Sequence, residues 1–196
     1  MTGTTAVTPS KRRGFTQESG RAVAMASRHT YLAGRIPCEY SDEFYTPAWV
    51  TSPLGPFDLD PCAGPMHHAK RNIRKPKDGL QSRWTGRVWM NPPYSNIYDW
   101  LSKFIAHNNG ICLVNARVDT AWFQNLASRA DAVFFFAGRI SFECPDAESK
   151  SRRPPCGSAL IALGSANVAA IDASGHKGLL FVHASGFRLS PLTSGL

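Results

Sequence analysis

The chain has 196 residues, 43% of them hydrophobic, with a formal net charge of +8 and a sequence pI near 9.5. It is long enough for one domain with a real core, and no apolar run approaches the length of a bilayer span. Its five cysteines, Cys38, Cys62, Cys112, Cys144 and Cys156, form no CxxC pair, which argues against a zinc ribbon and against a disulfide framework. With no apolar signal core at the N-terminus, a cytoplasmic protein without a membrane partner is expected. The positive balance is most simply explained by a polyanionic partner, nucleic acid first among them.

In chain order, residues 1–40 come first. They are rich in Ser, Thr, Gly and Ala and carry Lys11, Arg12, Arg13, Arg21, Arg28 and Arg35. Too few apolar residues are present for a core, so a mobile basic tail is predicted, with a short helix near Ser19–Arg28. Residues 41–196 read as a single domain. Strand-like runs occur at FDLD (57–60), RVWM (87–90), GICLVNA (110–116), AVFFFA (132–137) and SALIAL (158–163). Between them, YDWLSKFIAHN gathers Trp100, Leu101, Phe104 and Ile105 on one helix side, and TAWFQNLASRA gathers Trp122, Phe123 and Leu126. Strands alternating with helices predict an α/β fold with a mostly parallel sheet. The runs AVFFFAGRISF and SALIAL have only loops between them and predict an antiparallel edge near the C-terminus. Beyond Ser165 the pattern weakens.

Ligands of an open parallel sheet sit beyond the carboxyl ends of its strands. Three unusual segments fall there: DPCAG (60–64), NPPYS (91–95) and ARVDTAWF (116–123). The prolines of NPPY stop a strand and stiffen the loop. Asn91 contributes a side-chain carbonyl and Pro92 a backbone carbonyl. Two fixed acceptors suit an NH₂ group, and the Tyr94 ring suits a planar one. Accepting both amine hydrogens localises a lone pair otherwise delocalised into an aromatic ring, which is stabilisation aimed at the transition state. An electrophile already bearing positive charge then needs only positioning.

Other residues admit two readings. Asp60 could cap a helix, Thr46–Pro47 could begin one, and Asp78 in KPKDGL suits a turn. Arg117, Asp119 and Thr120 could be a salt-bridged helix start, and Phe142 could be core. His67 and His68 have no third ligand nearby, so no metal is expected. The polar segment 144–158 carries Lys150, Arg152 and Arg153 and is long enough to suggest function.

The ordered series EFYTPAW (43–49), FDLDPCA (57–63), DGLQSRW (78–84), VWMNPPYS (88–95), ARVDTAWF (116–123), GRISF (138–142) and GSALIAL (157–163) resembles the phage-type DNA N6-adenine methyltransferases of the Dam group. The resemblance covers residues 41–163. It implies a Rossmann-like methyltransferase fold, S-adenosylmethionine as donor, adenine in double-stranded DNA as acceptor, and the cytoplasm of a bacterial host if the chain is phage-encoded. It places Asn91, Pro92, Pro93 and Tyr94 in the catalytic loop. Asp60, Pro61, Cys62, Ala63 and Gly64 match the first cofactor loop, with Thr46 and Pro47 beside the donor's methionine end and Asp78 at its adenine. Tyr94 and Phe142 would flank the target base. Arg117, Asp119, Lys150, Arg152 and Arg153 are candidate DNA contacts. NPPY also serves N4-cytosine, RNA and protein-glutamine methyltransferases, so those acceptors stay open, as does a DNA-binding module that no longer catalyses.

Overall fold

The computed structural model describes residues 44–75, 77–143, 154 and 156–183. The expected tail at 1–40, and Lys150, Arg152 and Arg153, lie outside the described residues.

A short helix α1 (Ala48–Thr51) runs into a 3-10 turn (Ser52–Leu54). Strand β1 (Phe57–Asp60) follows, then β2 (Ala69–Asn72) and β3 (Val88–Met90). After β3 comes a 3-10 turn (Tyr94–Asn96) that leads directly into α2 (Ile97–His107). The remaining elements are β4 (Gly110–Asn115), α3 (Ala121–Ala127), β5 (Ala132–Phe136), β6 (Ser158–Leu163), α4 (Ser165–Ala173) and β7 (Gly178–Val182). All seven strands form one sheet, in the order β2-β1-β3-β4-β6-β5-β7. Pairing is parallel from β2 through β4 and antiparallel at β4–β6, β6–β5 and β5–β7. Strands β1 to β5 therefore all point one way, while β6 and β7 point the other.

The fold is α/β with a mixed sheet, as the alternating pattern predicts, and β5 and β6 do pair antiparallel. Their placement differs from the expectation of an edge. SALIAL inserts between β4 and β5, and the edge belongs to β7, where the sequence signal is weak.

Alternation along the strands divides the core into two layers. Leu59, Val88, Met90, Cys112 and Val114 face Trp100, Leu101, Phe104, Trp122 and Phe123 from α2 and α3. Phe57, Trp89, Ile111 and Leu113 face the other way, toward Val50, Leu54, Phe142 and Ile171. Helix α2 ends where Asn108 adopts a left-handed conformation (φ 55°), a shape asparagine tolerates better than most residues. Its N–H returns to the Phe104 carbonyl. That stop delivers Gly110 to the start of β4 against the Val88 carbonyl, where a Cβ would stand only 2.3 Å away.

The amino ends of the strands are tied by a polar network. Arg87 Nε donates to Asn167 Oδ1 (2.6 Å), its Nη1 donates to the Leu54 carbonyl (2.8 Å), and the guanidinium lies 4.4 Å over the Phe57 ring. Buried Asn167 donates in turn to Asn109 Oδ1 (3.1 Å) and the Leu163 carbonyl (2.6 Å).

Phe104 is fully buried beneath β3 and β4. Phe104→Ala should lower unfolding free energy by about 3–5 kcal/mol through lost burial and the cavity left behind. Urea unfolding checks this, and a loss under 1 kcal/mol on that same scale would mean the layer can collapse around the gap.

Candidate active site

The chain goes from β1 outward to β2, then back across β1 to β3. The reversal opens a crevice between the carboxyl ends of β1 and β3, the place where parallel sheets bind ligands. The segments Asp60–Gly64 and Asn91–Tyr94 stand on either side of it, and they are directly bonded. Burial pushes the Cys62 thiol well above its usual pKa, so it is a protonated donor, and its Sγ donates to the Asn91 carbonyl (3.3 Å). Ala63 N–H donates to the Ile73 carbonyl (3.0 Å). Gly64 lies beneath the Tyr45 ring, where a Cβ would come within 2.4 Å of it.

Asn91 is held from the other side. Its Nδ2 donates to the Phe44 carbonyl (2.8 Å) and to Thr46 Oγ1 (3.2 Å). A backbone carbonyl can only accept, so the amide nitrogen must face the 44–46 segment and Oδ1 must face away. That segment is fixed by a strand-like bridge between Tyr45 and Glu143. Thr46 is buried, and its backbone bonds to the His68 ring, whose Nδ1 also lies 3.0 Å from Thr51 Oγ1. Burial keeps the His68 pKa below its usual value. His67 Nε2 lies 3.2 Å from Arg74. Among the described residues no group of three potential metal-ligating side chains is found.

Asn91 and Tyr94 line a cavity of about 100 Å³ together with Phe44, Leu113, Val114, Asn115, Phe142 and Pro154. Phe142 meets Phe44 edge-on at 5.8 Å, and Tyr94 meets Trp122 edge-on at 5.9 Å. The Tyr94 hydroxyl accepts from the Asn115 N–H, and burial raises its pKa so that it stays a neutral phenol. Phe142 is thus both core and cavity wall. A larger open hollow of about 570 Å³ lies between α2 and α3, bounded by Tyr98, Ser102, Ile105 and Arg129. None of the residues of the Asn91–Tyr94 segment lines it.

Asp60 is buried at the end of β1 and caps its own loop, Oδ1 accepting from the Cys62 N–H (3.1 Å). Burial pushes its pKa up to about 7, against a smaller opposing pull from the Cys62 N–H and Arg74. Across the register from Asp60, Asn72 holds a buried Oδ1 with no hydrogen-bond partner among the described residues. Asp78 accepts from the Leu80 N–H (2.8 Å), which is the turn its sequence suits. The next residue, Gly79, approaches the Pro61 carbonyl so closely that a Cβ would sit 1.8 Å from it. Pro47 precedes α1 and accepts from Val50 N–H (3.0 Å). Arg117 and Asp119 pair with each other at 3.3 Å on the exposed turn before α3 and do not line the cavity. Sequence reasoning missed Phe44, Asn115 and Pro154. The aromatic pair Phe44–Tyr45 just before Thr46–Pro47 was the available hint for the first, and nothing local marks the others.

The profile of the DNA N-6-adenine-methyltransferase (Dam) family matches residues 34–167. The chain is 35% identical over 94 residues to the DNA N-6-adenine-methyltransferase of Haemophilus phage HP1 (strain HP1c1), an alignment covering 44% of this chain and 54% of that protein. It is 28% identical over 126 residues to the protein of that name from Escherichia phage T1, covering 59% of this chain and 53% of that protein. The chain thus spans about half the length of the curated relatives it matches.

A carboxyl whose pKa rises on folding favours the fold while protonated. Its contribution is complete below pH 3.8 and is lost as pH rises through about 7. Asp60→Asn, which cannot ionise, should therefore match wild type in acid and exceed it at pH 8 by up to about 4 kcal/mol. Urea titrations at pH 4 and pH 8 measure the gap, and a gap that does not widen with pH would place the carboxylate in contact with water.

Proposed function

Because the chain belongs to the DNA N-6-adenine-methyltransferase (Dam) family, we propose that it transfers a methyl group from S-adenosylmethionine to the exocyclic N6 amine of adenine in double-stranded DNA. The observation that carries this reading is the fixed amide of Asn91. Both acceptors beside it, the Phe44 carbonyl and Thr46 Oγ1, take its nitrogen, which leaves Oδ1 to accept from an incoming amine. The seven-stranded sheet with β6 inserted antiparallel supports the Rossmann-like methyltransferase fold that the family implies.

The residues at the crevice fit the donor. Asp60 offers a carboxylate to a cationic group, and the buried, unpartnered Asn72 Oδ1 offers an acceptor to a hydroxyl on the same side. Asp60–Gly64 would hold the amino acid end, and Thr46 and Pro47 would close over it. Asp78 would lie toward the adenine of the donor. When bound, S-adenosylmethionine supplies a methyl carbon activated by the positive charge on its sulfur.

An adenine inside a duplex cannot reach this pocket, so the base is rotated out of the stack. The rings of Tyr94, Phe44 and Phe142 form the walls it meets. Asn91 Oδ1 and the Pro92 carbonyl accept the two amine hydrogens, and Pro93 keeps the turn rigid. The lone pair then points at the methyl carbon, and the amine proton leaves to solvent after transfer. No side-chain base is required, because the amine loses its proton readily once it carries the methyl group.

Phe142 and Pro154 flank residues 144–153 in sequence, and both line the cavity. Lys150, Arg152 and Arg153 fall between these two cavity residues in sequence, which supports a role in contacting DNA beside the target base. The basic residues before Pro37 would meet phosphates regardless of sequence.

Asn91→Ala should lower kcat by about 100-fold or more by removing Oδ1, while donor affinity changes far less, only through the lost bonds to Phe44 and Thr46. Expression of both proteins in a methylation-free host, followed by mass analysis of digested DNA, tests the reading. N6-methyladenine from wild type alone supports it, while N4-methylcytosine or an unmethylated genome overturns it.

Arg152→Ala combined with Arg153→Ala should reduce turnover or relax site choice even at low salt, where general attraction is strong. Methylation-site sequencing alongside binding titrations at several salt concentrations decides this. A change confined to a salt slope shallower by about 0.9 per lost phosphate contact would reduce the loop to a backbone contact.

A further inference from the structure

The loop after Asp78 is held in an unusual way. The Lys103 ammonium, reaching from the middle of α2, donates to the carbonyls of Leu80 and Ser82 (2.7 Å to Ser82) and more weakly to that of Gly79 (3.4 Å). An ammonium has three donors and no acceptor, so these carbonyls fill its hydrogen-bonding capacity. The same group lies 5.2 Å from the centroid of the Trp84 ring, and the Trp84 indole N–H donates to the Gly79 carbonyl (2.8 Å). Trp84 stacks on Trp100 of α2 at 6.4 Å. Ser82 Oγ donates to the Asp78 carbonyl (2.9 Å). Four of the five carbonyls of one short turn, at 78, 79, 80 and 82, thus accept from side chains.

A turn held only at its ends would be free to shift, since loop backbone has little cost to move unless its polar groups are bonded. Here the bonding fixes where the turn lies. Gly79 is pressed on the Pro61 carbonyl, and Leu80 and Cys62 pack on the same core layer. The 78–82 turn is therefore the wall beside the Asp60–Gly64 loop, on the β1 side of the crevice. Lys103 sits on α2, which begins just after Asn91–Tyr94, so one side chain ties that helix to the wall.

We propose that Lys103 is a positioning residue for the methyl donor, setting the 78–82 turn against Pro61 so that Asp78 and Leu80 meet the donor's adenosine half. The proposal rests on the methyl-transfer reading above. Lys103 touches neither the donor nor the base; it acts through the three carbonyls it holds. The apolar stem of the side chain also covers Trp84, so a methionine in its place keeps the packing and removes only the donors.

The test is Lys103→Met, with folding checked by circular dichroism. The KM for S-adenosylmethionine should rise about tenfold or more, as expected when charged hydrogen bonds that shape a site are lost. The kcat at saturating donor and the KM for DNA should stay within about twofold, a difference too small to represent a lost hydrogen bond. Calorimetric binding of S-adenosylhomocysteine, which needs no turnover, should weaken in parallel. Trp84→Phe, which deletes one donor to the same turn, should shift the same two quantities in the same direction by a smaller factor. An unchanged dissociation constant for S-adenosylhomocysteine in folded Lys103→Met would overturn the proposal, as would a fall in kcat with KM for the donor unaltered. Wild-type protein that binds S-adenosylhomocysteine yet methylates no DNA would instead remove the functional reading, and the binding comparison would still decide the role of Lys103.

Discussion

The site depends on the direction of one amide group. The Phe44 carbonyl cannot donate, so it turns the nitrogen of Asn91 toward the 44–46 segment and the oxygen away from it. An asparagine free to flip would turn its donor and its acceptor toward the cavity in turn, whereas here the orientation is set. Holding the amide costs contacts elsewhere. Tyr45 must pair with Glu143, Thr46 must be buried, and Gly64 must lack a side chain so that the Tyr45 ring can lie on it. The Cys62 bond to the Asn91 carbonyl closes the circuit. Three segments far apart in sequence, at 44–46, 60–64 and 91–94, are thereby locked as one unit. A disturbance in any of them reaches the acceptor oxygen.

Rigidity at the opposite edge makes this possible. Arg87, Asn167 and Asn109 join β3, α4 and the turn before β4 at the amino ends of the strands. Burial lowers the pKa of Arg87, against a smaller opposing pull from Asp58. The amino ends of the strands are tied by these bonds, with Arg87 Nη2 left buried and without a partner among the described residues, and the carboxyl ends border the crevice. The buried Asn72 Oδ1, also without a partner among the described residues, lies at the carboxyl ends, where a ligand rather than the protein can satisfy it.

Much of this was legible in the sequence. Runs of β-branched and aromatic residues located β1, β3, β4, β5 and β6, and helical spacing located α2 and α3. NPPY marked the segment whose Asn91 and Tyr94 line the cavity. What escaped notice has physical causes. AKRN is a short edge strand with charged side chains, which keep an edge from pairing with other molecules and also hide it from a search for apolar runs. The place of β6 between β4 and β5 is a tertiary fact that local pattern does not encode. Asn115 enters the cavity because β4 ends beside Tyr94, and that too depends on strand order. Lys103 reads as an ordinary solvated lysine on a helix, since the carbonyls it holds are those of a loop some twenty residues earlier in the chain.

The insertion of β6 also governs when the sheet can be completed. On a ribosome β5 emerges well before β6 and β7, the two strands that flank it in the sheet. Its sequence, AVFFF, is apolar and strand-forming, so for that interval it is an unpaired, sticky segment of the kind that chaperones shield. β4 waits too, bonded on one side to β3 with its other edge open. Only when SALIAL arrives can both open edges be closed in a single step. Phe142 and Pro154, which wall the cavity, lie in the chain between β5 and β6. The nascent chain can thus form β1 to β4, with the Asp60–Gly64 and Asn91–Tyr94 segments, before Phe142 and Pro154 are present to wall the cavity.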